Sequence, residues 1–194
     1  MIAAIYENHR RTAITAAVIL LAVLFGYSDL RNTVYLALEP VFAWSETTIL
    51  GYVGKTWGGA FALIQAGHLI GLAVLGGAVL AGDLRLLGVV LNDVPARVVV
   101  ERAHRVFFWA LMSLLATGIF MACGVAMKIY FLPVYWFKML ALGAGMLFHF
   151  GLRMPLLQHD LDTLNPVVVR MVAIASILVW FMVAATGRWI GFSG

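Results

Sequence analysis

Four stretches of this chain run for at least seventeen residues without an aspartate, glutamate, lysine or arginine: residues 12–28, 56–82, 106–127 and 171–187. A fifth apolar stretch, from Pro133 to Gly151, is broken only by Lys138. A helix needs roughly 20 apolar residues to cross the hydrocarbon core of a bilayer, and only a helix or a closed barrel satisfies its own backbone there. The pattern predicts an all-α integral membrane helical bundle of five spans, near 12–28, 57–82, 104–127, 133–153 and 166–187, with the last four as a four-helix core. Composition points the same way. Charged residues make up 11% of the chain and hydrophobic residues 63%, whereas a soluble domain carries about a quarter charged residues. A soluble enzyme, a disordered tail and a nucleic-acid binder are excluded. The basic excess, 13 lysines and arginines against 9 acids, is spread over loops and reads as topology. The one cysteine, Cys123, has no partner for an internal disulfide.

Local signals mark the boundaries. Asn165-Pro166 reads as an N-cap followed by proline at the first helical position, and Pro133 plays the same part for the fourth span. Asp93-Val94-Pro95 reads as a start for the third helix. Trp136, Trp180, Trp189, Tyr130 and Tyr135 fall near expected helix ends, as an aromatic belt would place them. Residues 1–29 read as an N-terminal membrane anchor, because no small-x-small cleavage site follows the apolar run. Residues 30–56 interleave aromatic and acidic side chains, as an amphipathic segment on the outer face would. Residues 57–194 form the core. With the N-terminus inside, eight basic residues (Arg10, Arg11, Arg85, Arg97, Arg102, Arg105, Arg153 and Arg170) fall on the inner side and five on the outer. The positive-inside rule then predicts a cytoplasmic N-terminus and a periplasmic C-terminus.

Polar groups at membrane depth are costly and are functional candidates by default. Three histidines qualify: His68 in the second span, His104 at the entry of the third and His149 in the fourth. His68 lies eleven residues past Trp57, about 16 Å at 1.5 Å per residue, and His149 fifteen residues past Val134, about 22 Å. Two imidazoles on parallel helices at similar depth suit the axial positions of one b-type haem, with His68 and His149 as iron ligands. A His104–His149 pair is the second choice. Glycines beside the ligands (Gly67, Gly71, Gly145) leave room for a flat macrocycle, or simply let helices approach. Buried histidines also serve interhelical hydrogen bonds, or proton and metal-ion paths. Arg85, Arg102, Arg105 and Arg153 are candidate propionate partners; arginines at helix ends also snorkel and fix topology. Asp83 is expected to pair with loop charges. His159 lies beyond the membrane edge and leaves no second ligand pair, so one haem is expected. The methionines admit a copper path, although methionine at helical spacing usually fills space. Walker A, dinucleotide-binding, His-Glu-x-x-His and nucleophile-elbow motifs are absent from the sequence.

The run Phe61 to Ala73, Asp83-Leu84-Arg85-Leu86-Leu87-Gly88, Thr117-Gly118, Lys138-Met139, Phe148-His149 and Gly187-Arg188-Trp189-Ile190 together resemble an uncharacterised bacterial inner-membrane family of unknown function. The likeness covers roughly residues 35–194, with the first span as an addition. That family is similar in layout to copper-resistance-D-like proteins and to small four-helix b-type cytochromes. The resemblance implies that its two membrane histidines correspond to His68 and His149, and it supplies no counterpart for His104. The leading expectation is a haem b electron-transfer subunit in the inner membrane, partnered by a quinone or a redox protein and acting within a complex or homo-oligomer. The alternatives are a copper or other small-ion transporter and a non-catalytic anchor subunit.

Overall fold

The structure, a computed structural model, describes residues 17–193 except 19, 21–23, 25, 26, 159, 160, 162 and 163. The anchor expected at 12–28, together with His9 and His159, lies wholly or mostly outside the described residues. Every regular element among the described residues is helical. In chain order these are α1 (Leu30–Thr47), α2 (Ile49–Thr56), α3 (Gly58–Leu86), α4 (Ala96–Gly124), α5 (Ala126–Tyr130) and α6 (Pro133–Met146). A π-helical segment (Leu147–Arg153), α7 (Met154–Leu157) and α8 (Pro166–Ile190) follow. Four helices are long and apolar enough to cross a membrane: Gly58–Leu86, Ala96–Gly124, Pro133–Leu157 and Pro166–Ile190. The shorter two have 25 residues, about 38 Å, against a hydrocarbon core of about 30 Å. The chain is a multi-pass membrane protein.

The expected boundaries have visible causes. Asn165 Oδ1 accepts a hydrogen bond from the Val167 amide at 2.9 Å, so it caps α8, and Pro133 and Pro166 open their helices. At the end of α3, Gly88 takes a φ of +75°. The Gly88 amide then bonds the Arg85 carbonyl and the Val89 amide the Leu84 carbonyl, closing a Schellman cap. The third span starts at Ala96, eight residues before the expected 104, and ends three residues early. It stops at Gly124, because Val125 leaves the helical region (φ −138°, ψ 32°) and starts the separate turn α5. The fourth span departs most. Pro155 has no amide hydrogen and its ring crowds the carbonyl four residues back, so the α-pattern fails just before it. The chain widens into the π segment, whose turn closes with the Met154 amide on the His149 carbonyl.

The most extensive packing is α3 on α4, followed by α6 on α8, and α8 also lies against α3. Leu75, Ala78 and Val79 from α3, Phe107, Ala110 and Leu111 from α4, and Trp180 and Val183 from α8 form one buried cluster, with Ala141, Leu142 and Met146 of α6 packed against it. Trp180 is therefore a core residue and not part of an interfacial belt. Its indole stands edge-on to Phe107 at 4.9 Å between ring centroids. The segment 30–56 is helical and is clamped at the Gly124 end of the bundle. The Tyr130 hydroxyl donates to the Tyr35 carbonyl at 2.8 Å while the two rings stack. Glu46 accepts from the Met127 amide at 2.8 Å and pairs with Lys55. The α2–α4 crossing is so close that a Cβ on Gly54 would sit 2.9 Å from the Gly124 Cα.

Candidate functional site

The π segment carries two of the four buried polar or charged side chains among the described residues, His149 and Arg153; the others are Asp83 and Ser176. π-Helical turns often mark functional positions. Arg153 donates from Nε and Nη2 to one oxygen of Asp83, at 3.1 and 2.6 Å. The Ser176 hydroxyl, fully buried on α8, faces the same carboxylate outside hydrogen-bonding geometry. Asp83 therefore pairs across helices with Arg153, and not with the loop charges expected from its neighbourhood in the sequence. Gly82 lies beside the pair, where a Cβ would be 3.4 Å from the Arg153 guanidinium and 3.3 Å from the Ala103 Cβ.

One helical turn from Arg153, the His149 ring is 2% exposed. It stacks on Phe107 at 3.9 Å, and its Nε2 lies 3.2 Å from Nδ1 of His104. The two imidazoles are nearly parallel, with 17° between planes. His149 Nδ1 is buried without a hydrogen-bond partner, as is the Trp180 indole nitrogen nearby. Ala78, Val79, Ala103, His104, Phe107, His149 and Arg153 line a half-open pocket of about 10 Å³, the space of one water at most.

His68 lies elsewhere. Val79 and Ala78 line the His149 cavity, and His68 is ten and eleven residues before them on α3, about 16 Å along the axis. Metal–imidazole bonds are about 2 Å long, so two rings on one iron hold their nitrogens about 4 Å apart. The expected His68–His149 axial pair is thus separated along the bundle, because depth counted from helix ends ignored where the helices start relative to one another. The pair that the structure does bring together is His104–His149. A macrocycle does not fit between these rings as they stand. They are in direct hydrogen-bond contact beside a one-water cavity, whereas sites for small ligands occupy about 300–1,000 Å³. The expected propionate partners disperse. Arg153 is committed to Asp83, Arg85 donates to the Val94 carbonyl at 2.9 Å, and Arg102 and Arg105 are exposed.

His68 has its own partner. The Thr117 hydroxyl donates to the Ser113 carbonyl at 2.7 Å, leaving its oxygen to accept from His68 Nδ1 at 2.8 Å. With the hydroxyl hydrogen on the Ser113 carbonyl, the neutral ring carries its hydrogen on Nδ1 and its lone pair on Nε2. Thr117, Phe107, Trp180 and Ser176 did not stand out as site residues in the sequence. Asp83 carried the one usable signal, an acid inside the end of an otherwise charge-free span.

A model for a family of unknown function, DUF6644, matches residues 41–193. The chain belongs to that family. The match takes in all four long helices and every residue of both histidine clusters. No curated protein and no solved structure matches the chain.

Proposed function

We propose that the chain is a bacterial inner-membrane protein that conducts protons through its helical core, with the N-terminus cytoplasmic, the C-terminus periplasmic and the His104–His149 pair as the transfer step. One observation carries this reading: two neutral-capable imidazoles share a 3.2 Å contact inside a membrane bundle, and one is almost fully buried. Histidine is the side chain whose ordinary pKa lies closest to neutrality and whose two ring nitrogens can take and release a proton in turn. A proton gained at the far nitrogen of His104 displaces the Nδ1 proton to His149 Nε2, and His149 gives up a proton from Nδ1. Each passage conserves charge but leaves both rings in the other tautomer, so a second proton in the same direction follows only after each ring turns or exchanges its ring hydrogen with water. The unpartnered Nδ1 of His149 is the atom a water would meet at the far side of this step. The Asp83–Arg153 pair acts as a positioning element, since it anchors the π segment that carries His149.

The test is proton flux into liposomes holding purified protein and a trapped pH dye, driven by a potassium diffusion potential. Flux that falls at least tenfold in both His104→Phe and His149→Phe supports the relay. Flux that is absent, or unchanged in these variants, overturns it.

A second reading, a haem b electron-transfer subunit with a quinone or redox-protein partner, is favoured by one observation. His68 holds its hydrogen on Nδ1 through Thr117 and so presents Nε2 as a metal ligand would. A dithionite-reduced absorption spectrum distinguishes the two, because a haem signal lost in His68→Ala would replace the proton reading with the electron-transfer one.

A further inference from the structure

Four buried side-chain nitrogen or oxygen atoms among the described residues have no hydrogen-bond partner: Asp83 Oδ2, His149 Nδ1, Ser176 Oγ and Trp180 Nε1. Their residues are 0 to 5% exposed. Buried polar groups are almost always paired, so each exception calls for a cause. Contacts and helix register join these four into one group. Arg153 ties Asp83 to the π segment through Oδ1 alone, which leaves Oδ2 over, and His149 lies one turn before Arg153 on the same segment. The Trp180 indole stands edge-on to the His149 ring, with 6.3 Å between centroids and 77° between planes. Both rings pack on Phe107, at 3.9 Å for His149 and 4.9 Å for Trp180. Ser176 is four residues before Trp180 and so shares its face of α8. Water reaches the edge of the group, since His149 and Arg153 also line the half-open, one-water pocket.

We infer that Asp83, His149, Ser176 and Trp180 form a bound-water site, and that this water takes the proton leaving His149. The inventory matches water from both sides. The Trp180 N–H only donates, the Asp83 carboxylate only accepts, and the Ser176 hydroxyl does either. His149 Nδ1 donates before a proton passes and accepts afterwards, so one kind of occupant satisfies both states of the ring. A metal cation finds no ligand in the indole N–H, and an anion is repelled by the carboxylate. In the transfer the Nδ1–H bond of His149 breaks and an O–H bond forms on the water, whose positive charge then faces the spare Asp83 oxygen. The water recovers its neutral form by passing a hydrogen ion to a second water. Asp83 thus positions the proton in transit through Oδ2 while it holds Arg153 through Oδ1. The second half of the inference rests on the His104–His149 relay; the water site itself does not.

Radiolytic labelling reads the site without transport. The purified full chain in detergent and isotope-labelled water receives a brief X-ray pulse, and mass spectrometry follows the hydroxyl that bound water adds to the side chains it touches. Trp180 is expected to be labelled although it is buried. The label is expected to fall at least fivefold when Asp83→Leu is combined with Arg153→Met, which removes the anchoring carboxylate and leaves no lone charge, while the exposed Trp189 keeps its own. Ser176→Ala, a milder change, is expected to lower the Trp180 label several-fold and keeps the test decisive where the double variant does not fold. A wild-type Trp180 without label, or a label indifferent to these changes, would overturn the water site. In liposomes, Ser176→Ala and Trp180→Phe, which spare the Asp83–Arg153 pair, are each expected to lower proton flux at least threefold; flux unchanged in both would overturn the part the water plays in transfer. The failures are separable. If His104→Phe and His149→Phe leave flux intact while Trp180 is labelled, the relay falls and the water site stands. If they abolish flux while Trp180 stays unlabelled, the site falls and the relay stands.

Discussion

Replacing Asp83 by asparagine keeps the shape of the side chain and removes its charge, leaving the Arg153 guanidinium buried without an anion. The pair is sequestered, with side chains 0% and 4% exposed and a closest N···O distance of 2.6 Å. At an effective dielectric of about 20, the attraction at that distance is roughly 6 kcal/mol, most of it offset by desolvation of the two ions. Removing one partner leaves the desolvation of the other uncompensated, a loss of about 3–5 kcal/mol. That corresponds to a shift in the folding equilibrium of about 140- to 3,700-fold, at about 1.4 kcal/mol per factor of ten. The assay is reversible unfolding in mixed micelles, followed by circular dichroism, for Asp83→Asn, Arg153→Met and the double variant Asp83→Leu with Arg153→Met. Each single change is expected to cost several kcal/mol. The double change is expected to cost less than either, since apolar replacement of both partners is often neutral or stabilising. Single losses below about 1 kcal/mol, the range of an exposed ion pair, would refute the placement of this pair in the core.

Other consequences follow from single contacts. Gly54→Ala drives a methyl group against the Gly124 backbone, where a Cβ would be 2.9 Å from Cα, and is expected to cost about 1–3 kcal/mol by overpacking; thermal unfolding in detergent reads it. Asn165→Ala removes the α8 cap and is expected to lower stability by about 0.5–2 kcal/mol, while Asn165→Asp should preserve it. Partial burial alone would raise the Glu46 pKa, but the Lys55 ammonium and the Met127 amide outweigh it and hold the carboxyl below its ordinary 4.5. Its contribution is therefore present above pH 4.5 and is lost as pH falls through the depressed folded value. Glu46→Gln is expected to flatten that acid limb, and acid titration of the melting temperature would reveal an unchanged limb if the clamp were idle.

Much of the architecture was legible because the bilayer imposes length and apolarity on each span, and prolines and caps punctuate them. Asn165-Pro166 and Pro133 fixed two helix starts by chemistry that is local in sequence. The register between helices was not legible. His68 and His149 were matched by counting from helix ends, but the real registration comes from long-range contacts such as Asp83 with Arg153. That pairing sets Val79 level with His149 and moves His68 about 16 Å away along α3. The π segment also escaped, because the influence of Pro155 acts backwards along the chain through a lost hydrogen bond and not through the residues 147–153 themselves. Trp180 reads as interfacial by its type, yet it is buried against Phe107 because α8 continues ten residues beyond it.

The most direct measurement is proton flux through wild-type liposomes, the two single variants His104→Phe and His149→Phe, and the double variant. If the two rings act in series on one proton path, each single change abolishes the same flux and the double change lowers it no further. Losses that multiply, or a double variant that still conducts like the wild type, would show that protons do not pass through this pair.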